Sequence, residues 1–201
     1  MIAYHGTVMQ GLTNLNPFAG PHANLKYPCV YLSTNKALAA IYVWKNAYKW
    51  MTFEMAESGI PVYNESFSGA WFEFYGDVMG CIYTCEADFE MSEGTRIKHA
   101  VISRTPVAVK EVDFIENAYE RILSCEKDGL MVINRYENLT NEQKDKNKNM
   151  VMGAIKGLDL LKGEHVLSGF VAEKFPGIWQ EALNFGDKWF QVLHTGSAWR
   201  C

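Results

Sequence analysis

The sequence lacks any apolar run that approaches the ~20 residues needed to cross a bilayer as a helix. It also lacks an excess of positive charge, because 19 lysines and arginines stand against 23 aspartates and glutamates, for a net charge of −4 at pH 7. A negatively charged chain is not attracted to nucleic-acid phosphates or to anionic lipid. We therefore expect partners other than nucleic acid and membranes.

Cysteine is sparse, and its arrangement excludes the common zinc sites. Cys81 and Cys85 form a C-x3-C pair, but no second pair or nearby histidine completes a set of four ligands. The five cysteines are odd in number and scattered, which favours reduced thiols over a disulfide framework. The N-terminus also has no basic segment followed by an apolar one. We expect a cytoplasmic protein without a metal site.

Several familiar catalytic motifs are missing too. The sequence contains no G-x-G-x-x-G after a predicted strand and no G-x4-G-K-[ST], which excludes the usual dinucleotide fold and P-loop chemistry. It contains neither H-E-x-x-H nor the G-x-S-x-G nucleophile elbow. A nucleotide site in this chain would have to be built from other residues.

The residues that are present suffice for a packed core, since 48% are apolar and 21% are charged. Strand-like patterns dominate up to about residue 115, and helical periodicity follows. Strands grouped before helices predict an α+β fold. We divide the chain into a main domain, residues 1–128, and a helical C-terminal extension, residues 129–201.

Local patterns predict individual elements. A first strand covers residues 2–5 and runs into His5-Gly6-Thr7, and a second covers Val30–Leu32. Ser33 or Thr34 is expected to cap a helix over residues 35–49. The remaining predictions are a hairpin turning at Ser58-Gly59, a short helix within 68–80, strands within 81–88 and 99–115, a helix from Asn117, helices from about Leu130 onward, and a surface position for Glu65, Glu73 and Glu86.

A candidate ligand site begins at His5-Gly6-Thr7. Tyr31 lies at the end of the second strand, and Tyr42, eleven residues later, lies about two turns along the predicted helix. Two facing rings can sandwich a flat heteroaromatic group, each stack contributing about 0.5–1.5 kcal/mol. Gly6 lets the backbone approach a planar carboxamide, and His5 can bond a sugar hydroxyl. Such a pocket suits nicotinamide joined to ribose.

These residues resemble a known family. His5-Gly6-Thr7, the segment "VYLS" with Tyr31, and Tyr42 are similar to the motifs of ADP-ribosyltransferases of the diphtheria-toxin and poly(ADP-ribose) polymerase type. The resemblance covers roughly residues 2–125. It implies split antiparallel sheets with flanking helices, with NAD as the substrate and an unknown macromolecular acceptor. The implied NAD-binding residues are His5, Gly6, Thr7, Tyr31, Ser33 and Tyr42.

The resemblance also implies roles for these residues. His5 bonds the adenosine-side ribose, the Gly6 backbone holds the carboxamide, and both tyrosines stack on nicotinamide. The family's third element is an acid that favours the positive charge developing as nicotinamide leaves. Its place falls near Thr105-Pro106, where this chain has no carboxylate, so that Glu111 is the nearest candidate. His5, Tyr31 and Glu111 form the implied catalytic set.

The residues leave other interpretations open. Tyr42 shares an apolar helix face with Leu38 and Ile41, where plain core packing is equally expected. Glu111 is also typical of a solvated strand, Asp113 has the same parity, and Ser103 or Arg104 can face a ligand instead. The alternative function is a catalytically inactive module that binds a nucleotide or a protein on the same fold. A third, an RNA 2′-phosphotransferase, is disfavoured by the acidic charge.

Overall fold

The computed structural model describes residues 1–19, 25, 27–44, 50–92 and 99–192, with side chains up to residue 185. This part of the chain forms a mixed α+β structure with two sheets and six α-helices. The coarse prediction of an α+β fold is therefore confirmed, with an antiparallel larger sheet and a smaller sheet that contains one parallel pair. Whether the fold is that of the ADP-ribosyltransferases stays a prediction.

The larger sheet has seven strands in the order β2-β9-β6-β1-β3-β8-β7, and its neighbours are antiparallel. Its strands are β1 (Ile2–Thr7), β2 (Asn14–Leu15), β3 (Val30–Ser33), β6 (Gly80–Glu86), β7 (Glu90–Met91), β8 (Ala100–Ser103) and β9 (Val107–Ile115).

The smaller sheet has three strands, in the order β10-β5-β4. Its strands are β4 (Met51–Met55), β5 (Pro61–Glu65) and β10 (Val132–Asn134). The helices are α1 (Lys36–Ala40), α2 (Ala70–Tyr75), α3 (Ala118–Lys127), α4 (Asn141–Gly157), α5 (Leu167–Lys174) and α6 (Pro176–Val192), with 3₁₀ turns at Tyr136–Asn138 and Leu160–Lys162.

Period-two alternation assigns the two faces of the larger sheet to two different cores. Ala3, Leu32 and Tyr83 belong to a smaller apolar cluster on one face. The other face packs against α1 in the main core, which Ile82 joins. Tyr4 and Gly6 alternate with Ala3 along β1 and therefore point toward the α1 face.

Several predicted elements are confirmed. The chain turns at Ser58-Gly59 between β4 and β5, where the Gly59 N–H donates to the carbonyl oxygen of Ala56, 2.8 Å away. Asn117 caps α3, since its side chain accepts from the Glu120 N–H. Cys81 and Cys85 lie on one face of β6, both buried and reduced. Four of the five cysteines are described, and all four are free thiols.

Three local predictions were wrong. The helix after β3 is capped by Asn35, whose Oδ1 accepts from the Leu38 N–H at 3.1 Å, and it spans only Lys36–Ala40 before the chain turns. Val132–Asn134 is not helical but forms β10, parallel to β5. Glu65 is not at the surface, because it is only 2% exposed.

The segment after residue 128 is tied closely to the residues before it. β10 completes the smaller sheet, and Val151, Leu160 and Val171 share one buried cluster with Trp71 of α2. Trp179 packs against the same cluster. The division at residues 128 and 129 stays a prediction.

Candidate functional site

The candidate site lies where β1 passes between β3 and β6. β1 pairs with β6 along its whole length, from Ile2 to Thr7, whereas its register with β3 pairs Tyr4 with Ser33. At the next residue of β1, the side chain of His5 makes a further contact with the backbone of β3. Its Nδ1 lies 2.8 Å from the carbonyl oxygen of Tyr31. Two of the predicted site residues are therefore in direct contact.

This contact fixes the protonation of His5. A carbonyl oxygen only accepts, so Nδ1 carries the proton and donates it to the carbonyl oxygen of Tyr31. Burial lowers the pKa of His5 below 6.5, and the bond to Tyr31 offsets part of that effect. At neutral pH the ring is uncharged, and its Nε2 has a lone pair with which it can accept a hydroxyl proton.

Gly6 is pressed against the end of α1. A Cβ at this position would lie 1.9 Å from the carbonyl oxygen of Ala39 and 3.4 Å from a methyl of Val43. The same carbonyl oxygen accepts from the backbone N–H of Tyr42 at 3.0 Å. Glycine is thus required for the close approach of the helix. A contact between the Gly6 backbone and a carboxamide stays a prediction.

The two tyrosines have different surroundings at their hydroxyl ends. The Tyr31 hydroxyl accepts from the backbone N–H of Leu25 at 3.1 Å, and burial is the main cause that raises its pKa. Tyr42 exposes 42% of its surface, yet its hydroxyl is desolvated enough that its pKa is raised. The negative charge of an ionised Tyr42 would also raise the pKa of Tyr63 and of Tyr75, which are buried in the main core. Stacking of both rings on one ligand stays a prediction.

Ser33 and Thr7 both serve as local hydrogen-bond acceptors. The Ser33 hydroxyl, which is buried, accepts from the backbone N–H of Asn35 at 3.0 Å and so shapes the turn into α1. Thr7 Oγ1 accepts from the N–H of Met9 at 3.2 Å, at the point where β1 ends. Each hydroxyl still has a proton to donate.

The candidate acids lie two strands away from β1. Glu111 of β9 stands opposite Thr84 of β6, which in turn stands opposite Tyr4. Two strand spacings amount to about 10 Å between the Tyr4 and Glu111 backbones. The Glu111 side chain is exposed, which agrees with its interpretation as a solvated strand residue.

Asp113 of β9 stands opposite Ile82 of β6, which in turn stands opposite Gly6 of β1. Its side chain is therefore on the α1 face of the sheet. Its carboxylate accepts from both terminal nitrogens of Arg121, at 2.7 and 3.0 Å, and pairs with Lys36 at 2.8 Å. The hydrogen bond to Arg121 is the main cause that holds its pKa at about 2. This carboxylate therefore fastens α1 and α3 to the sheet.

A polar network that no sequence pattern predicts lies between the smaller sheet and α4. Asn64 Oδ1 accepts from the amide nitrogens of Asn134, at 2.8 Å, and Gln143, at 3.1 Å. Thr52 joins Asn64 to Asn147, with two hydrogen bonds of 3.1 Å. The Asn147 amide also donates to the backbone oxygen of residue 65 at 2.6 Å. No local pattern in the sequence signals this convergence.

Glu65 belongs to the same region. Its Oε1 accepts from the backbone N–H of Trp71 and its Oε2 from that of Tyr136, both at 3.1 Å. A buried carboxylate is tolerable only with such donors. Glu65 thus fixes the start of α2 and the 3₁₀ turn after β10, which is a structural role.

Comparison of the chain with family models, curated proteins and solved structures found no match. Within the described ranges, no group of three or more His, Cys, Asp or Glu side chains is arranged to hold a metal ion. None of the helices in those ranges combines the length and apolarity that a membrane crossing requires.

Proposed function

We propose that this chain binds NAD beside β1 and β3 and transfers its ADP-ribose to an acceptor. The observation that carries the proposal is the hydrogen bond between His5 Nδ1 and the Tyr31 carbonyl oxygen. It joins the two motifs that resemble those of the ADP-ribosyltransferases, although 26 residues separate them in sequence. A further support is that Gly6 packs close to the Ala39 carbonyl oxygen, which accepts from the backbone N–H of Tyr42.

The proposed chemistry follows from the states of these groups. The neutral His5 ring offers Nε2 as an acceptor for a ribose hydroxyl, while Nδ1 is held by Tyr31. Nicotinamide leaves with the electrons of its bond to ribose, and a nucleophile of the acceptor, or water, forms the new bond and loses a proton. A nearby carboxylate lowers the barrier by offsetting the positive charge on the ribose.

Glu111 is the proposed carboxylate. Asp113 is occupied by Arg121 and Lys36, whereas Glu111 is exposed on the same strand. Its position two strands from Tyr4 requires that the substrate reach across β6. This requirement also favours the second candidate function, an inactive module that binds a nucleotide without cleaving it.

The decisive experiment measures NAD binding by calorimetry and nicotinamide release from labelled NAD. Tyr31→Ala removes one proposed stacking surface, so we expect roughly tenfold weaker binding. His5→Ala should weaken binding as well. His165→Ala is the matched control. His165 precedes α5, where its Nδ1 accepts from the backbone N–H of Leu167, and it is not among the proposed NAD-binding residues. Equal NAD affinity in all three variants would remove the proposed pocket.

Glu111→Gln separates the two candidate functions. An enzyme that uses Glu111 should keep its NAD affinity and release nicotinamide at least a hundredfold more slowly, since removal of one electrostatic stabiliser costs roughly that much. Binding of NAD without any release by the unaltered chain would support the inactive module. Unchanged release by Glu111→Gln would exclude Glu111 as the acid.

A further inference from the structure

A cavity of about 280 Å³ lies beside β7 and β8, at one edge of the larger sheet. Glu90 of β7 and Arg104, the residue after β8, line it together with Tyr27 and Leu25. Glu90 stands opposite Ile102, and Arg104 follows Ile102 by two residues, so the strand pairing brings the two charged side chains to one face. The volume is below the ~300–1,000 Å³ typical of drug-sized ligands, which restricts the cavity to a small molecule.

The two charges of this cavity are opposite and only loosely paired. Arg104 Nε lies 3.3 Å from Glu90 Oε2, and the two side chains are 57% and 56% exposed. Such an exposed ion pair contributes little to stability, so a ligand can displace it at low cost. Among the described residues, the one hydrogen bond of the Arg104 guanidinium is a long one, 3.5 Å from Nη2 to the Tyr27 hydroxyl. Nη1 of Arg104 and Oε1 of Glu90 are therefore available to a ligand.

Tyr27 keeps the guanidinium in one orientation. The central carbon of the Arg104 guanidinium lies 4.4 Å from the centroid of the Tyr27 ring. A guanidinium that stacks on an aromatic ring has its plane fixed, while its N–H groups point outward around its edge. That edge matches a carboxylate, which can accept two parallel hydrogen bonds from it. Arg104 thus stays oriented toward a carboxylate even when the contact with Glu90 is exchanged.

A ligand that replaces the ion pair must carry both charges. The Glu90 carboxylate only accepts hydrogen bonds, so its new partner has to be a donor such as an ammonium group. The guanidinium and the carboxylate are 3.3 Å apart, so the two charges of the ligand must also be close together. In an α-amino acid, the ammonium and the carboxylate are bonded to the same carbon atom. A simple anion on Arg104 would instead face the like charge of Glu90.

We infer that this cavity binds a small α-amino acid, with its carboxylate on Arg104 and its ammonium group on Glu90. Each charge of the protein then exchanges one partner for another, and the net charge of the cavity does not change. The volume limits the ligand to a short side chain, such as that of alanine or serine. Neither Arg104 nor Glu90 belongs to the proposed NAD-binding residues, so the inference is independent of that function.

The test is calorimetric titration with L-alanine and three analogues. L-Alaninamide lacks the carboxylate, N-acetyl-L-alanine lacks the ammonium group, and γ-aminobutyrate carries the two charges farther apart. L-Alanine should bind saturably, and each analogue should bind at least roughly tenfold more weakly, as expected for loss of one charged hydrogen bond. No response to L-alanine would overturn the inference. Equal affinity for L-alanine and N-acetyl-L-alanine would also overturn it, because it would indicate a site for simple anions.

Two variants test the assigned contacts. Arg104→Gln and Glu90→Gln should each weaken binding of L-alanine roughly tenfold. Arg104→Gln should also lose the preference for L-alanine over L-alaninamide, and Glu90→Gln the preference over N-acetyl-L-alanine. Lys110→Gln is the matched control, because Lys110 forms a similarly exposed ion pair with Glu86 and does not line the cavity. Thermal unfolding without ligand should show the same midpoint for all three variants, since these side chains are exposed.

Substitution of Tyr27 tests the stacked guanidinium. Tyr27→Phe keeps the ring and should bind L-alanine as the unaltered chain does, whereas Tyr27→Leu removes the ring and should bind it more weakly. His5→Ala should leave the binding of L-alanine unchanged, which separates this inference from the NAD proposal. Unchanged binding in Arg104→Gln, or equal weakening in Arg104→Gln and Lys110→Gln, would overturn the inference.

Discussion

The Nδ1 atom of His5 lies 2.8 Å from the carbonyl oxygen of Tyr31, so that a side chain connects β1 to β3 just past the pairing of Tyr4 with Ser33. The bond fixes the neutral ring as its Nδ1–H tautomer. Burial lowers the pKa of the ring below 6.5 and keeps it uncharged at neutral pH. One residue thus holds two strands together and presents an acceptor nitrogen. Its structural and proposed ligand-binding roles can be separated by experiment.

The pH dependence of stability tests the state of His5. Burial lowers its pKa below 6.5 in the folded protein, so the unfolded chain binds more protons as the pH falls through 6.5. The folded state should lose stability as the pH falls from about 6.5 to the lowered pKa of His5. Above about pH 6.5, the contribution of His5 to the free energy of unfolding should be constant. His5→Asn retains a donor near the Nδ1 position but cannot titrate. Thermal unfolding between pH 5 and 8 should show a smaller decrease for His5→Asn, and parallel curves would contradict the assignment.

Substitution of Gly6 tests the packing of α1 on β1. An alanine Cβ would lie 1.9 Å from the Ala39 carbonyl oxygen, so the helix must shift. We expect Gly6→Ala to lower the free energy of unfolding by about 3 kcal/mol, measured by urea denaturation. Gly153→Ala is the control, because its Cβ would enter open space within α4. That substitution should raise the free energy of unfolding by about 0.5–1 kcal/mol. Equal stability of both variants would refute the close approach.

The polar network under α4 offers a pair of asparagines for comparison. Asn147 is buried and bonds Thr52 and the backbone of residue 65, whereas Asn149 is exposed on the same helix. Asn147→Ala leaves the half-buried hydroxyl of Thr52 and the buried carbonyl oxygen of residue 65 without that partner, so it should cost about 2 kcal/mol. Asn149→Ala should be neutral or slightly stabilising, because alanine favours helix. Similar urea midpoints for the two variants would argue against the network.

Asp113 tests how α1 and α3 are fastened to the sheet. Its pKa of about 2 lies below the ordinary 3.8, so its contribution to stability is complete above about pH 4 and is lost as the pH falls through about 2. Because its side chain is 26% exposed, solvent screening limits that contribution, and we expect Asp113→Asn to cost about 1 kcal/mol at pH 7. Asp145→Asn, at an exposed position of α4, should have no measurable effect. A difference between the two that does not shrink toward pH 2 in acid unfolding would contradict the ion pairs.

Local signals predicted the elements whose geometry depends on neighbours in sequence. Asn117 precedes an apolar pattern and caps α3 as expected, and Ser58-Gly59 turns the hairpin because glycine readily adopts the positive φ of 82° found there. The helix after β3 was predicted too long. Asn35 caps its N-terminus. At the other end, the Ala39 carbonyl oxygen accepts from the Tyr42 N–H, and the helix ends where it packs against Gly6.

Of the candidate site, the sequence pointed to the residues but not to their contacts. The motif spacing predicted His5, Tyr31 and Tyr42 as site residues. The hydrogen bond from His5 to the Tyr31 backbone, however, depends on the register in which β1 and β3 pair. The occupation of Asp113 by Arg121 depends on α3 packing beside β9. Neither relation has a period or a spacing that a single sequence reveals.

The sequence by itself determined the α+β composition, because alternation and helical periodicity act over a few residues. Only the tertiary structure decided that Val132–Asn134 is a strand and that Glu65 is buried. A strand of only three residues, such as Val132–Asn134, is not stable alone and needs the hydrogen bonds of a neighbouring strand, here β5. A carboxylate enters the interior only where distant backbone donors, here of Trp71 and Tyr136, replace its water.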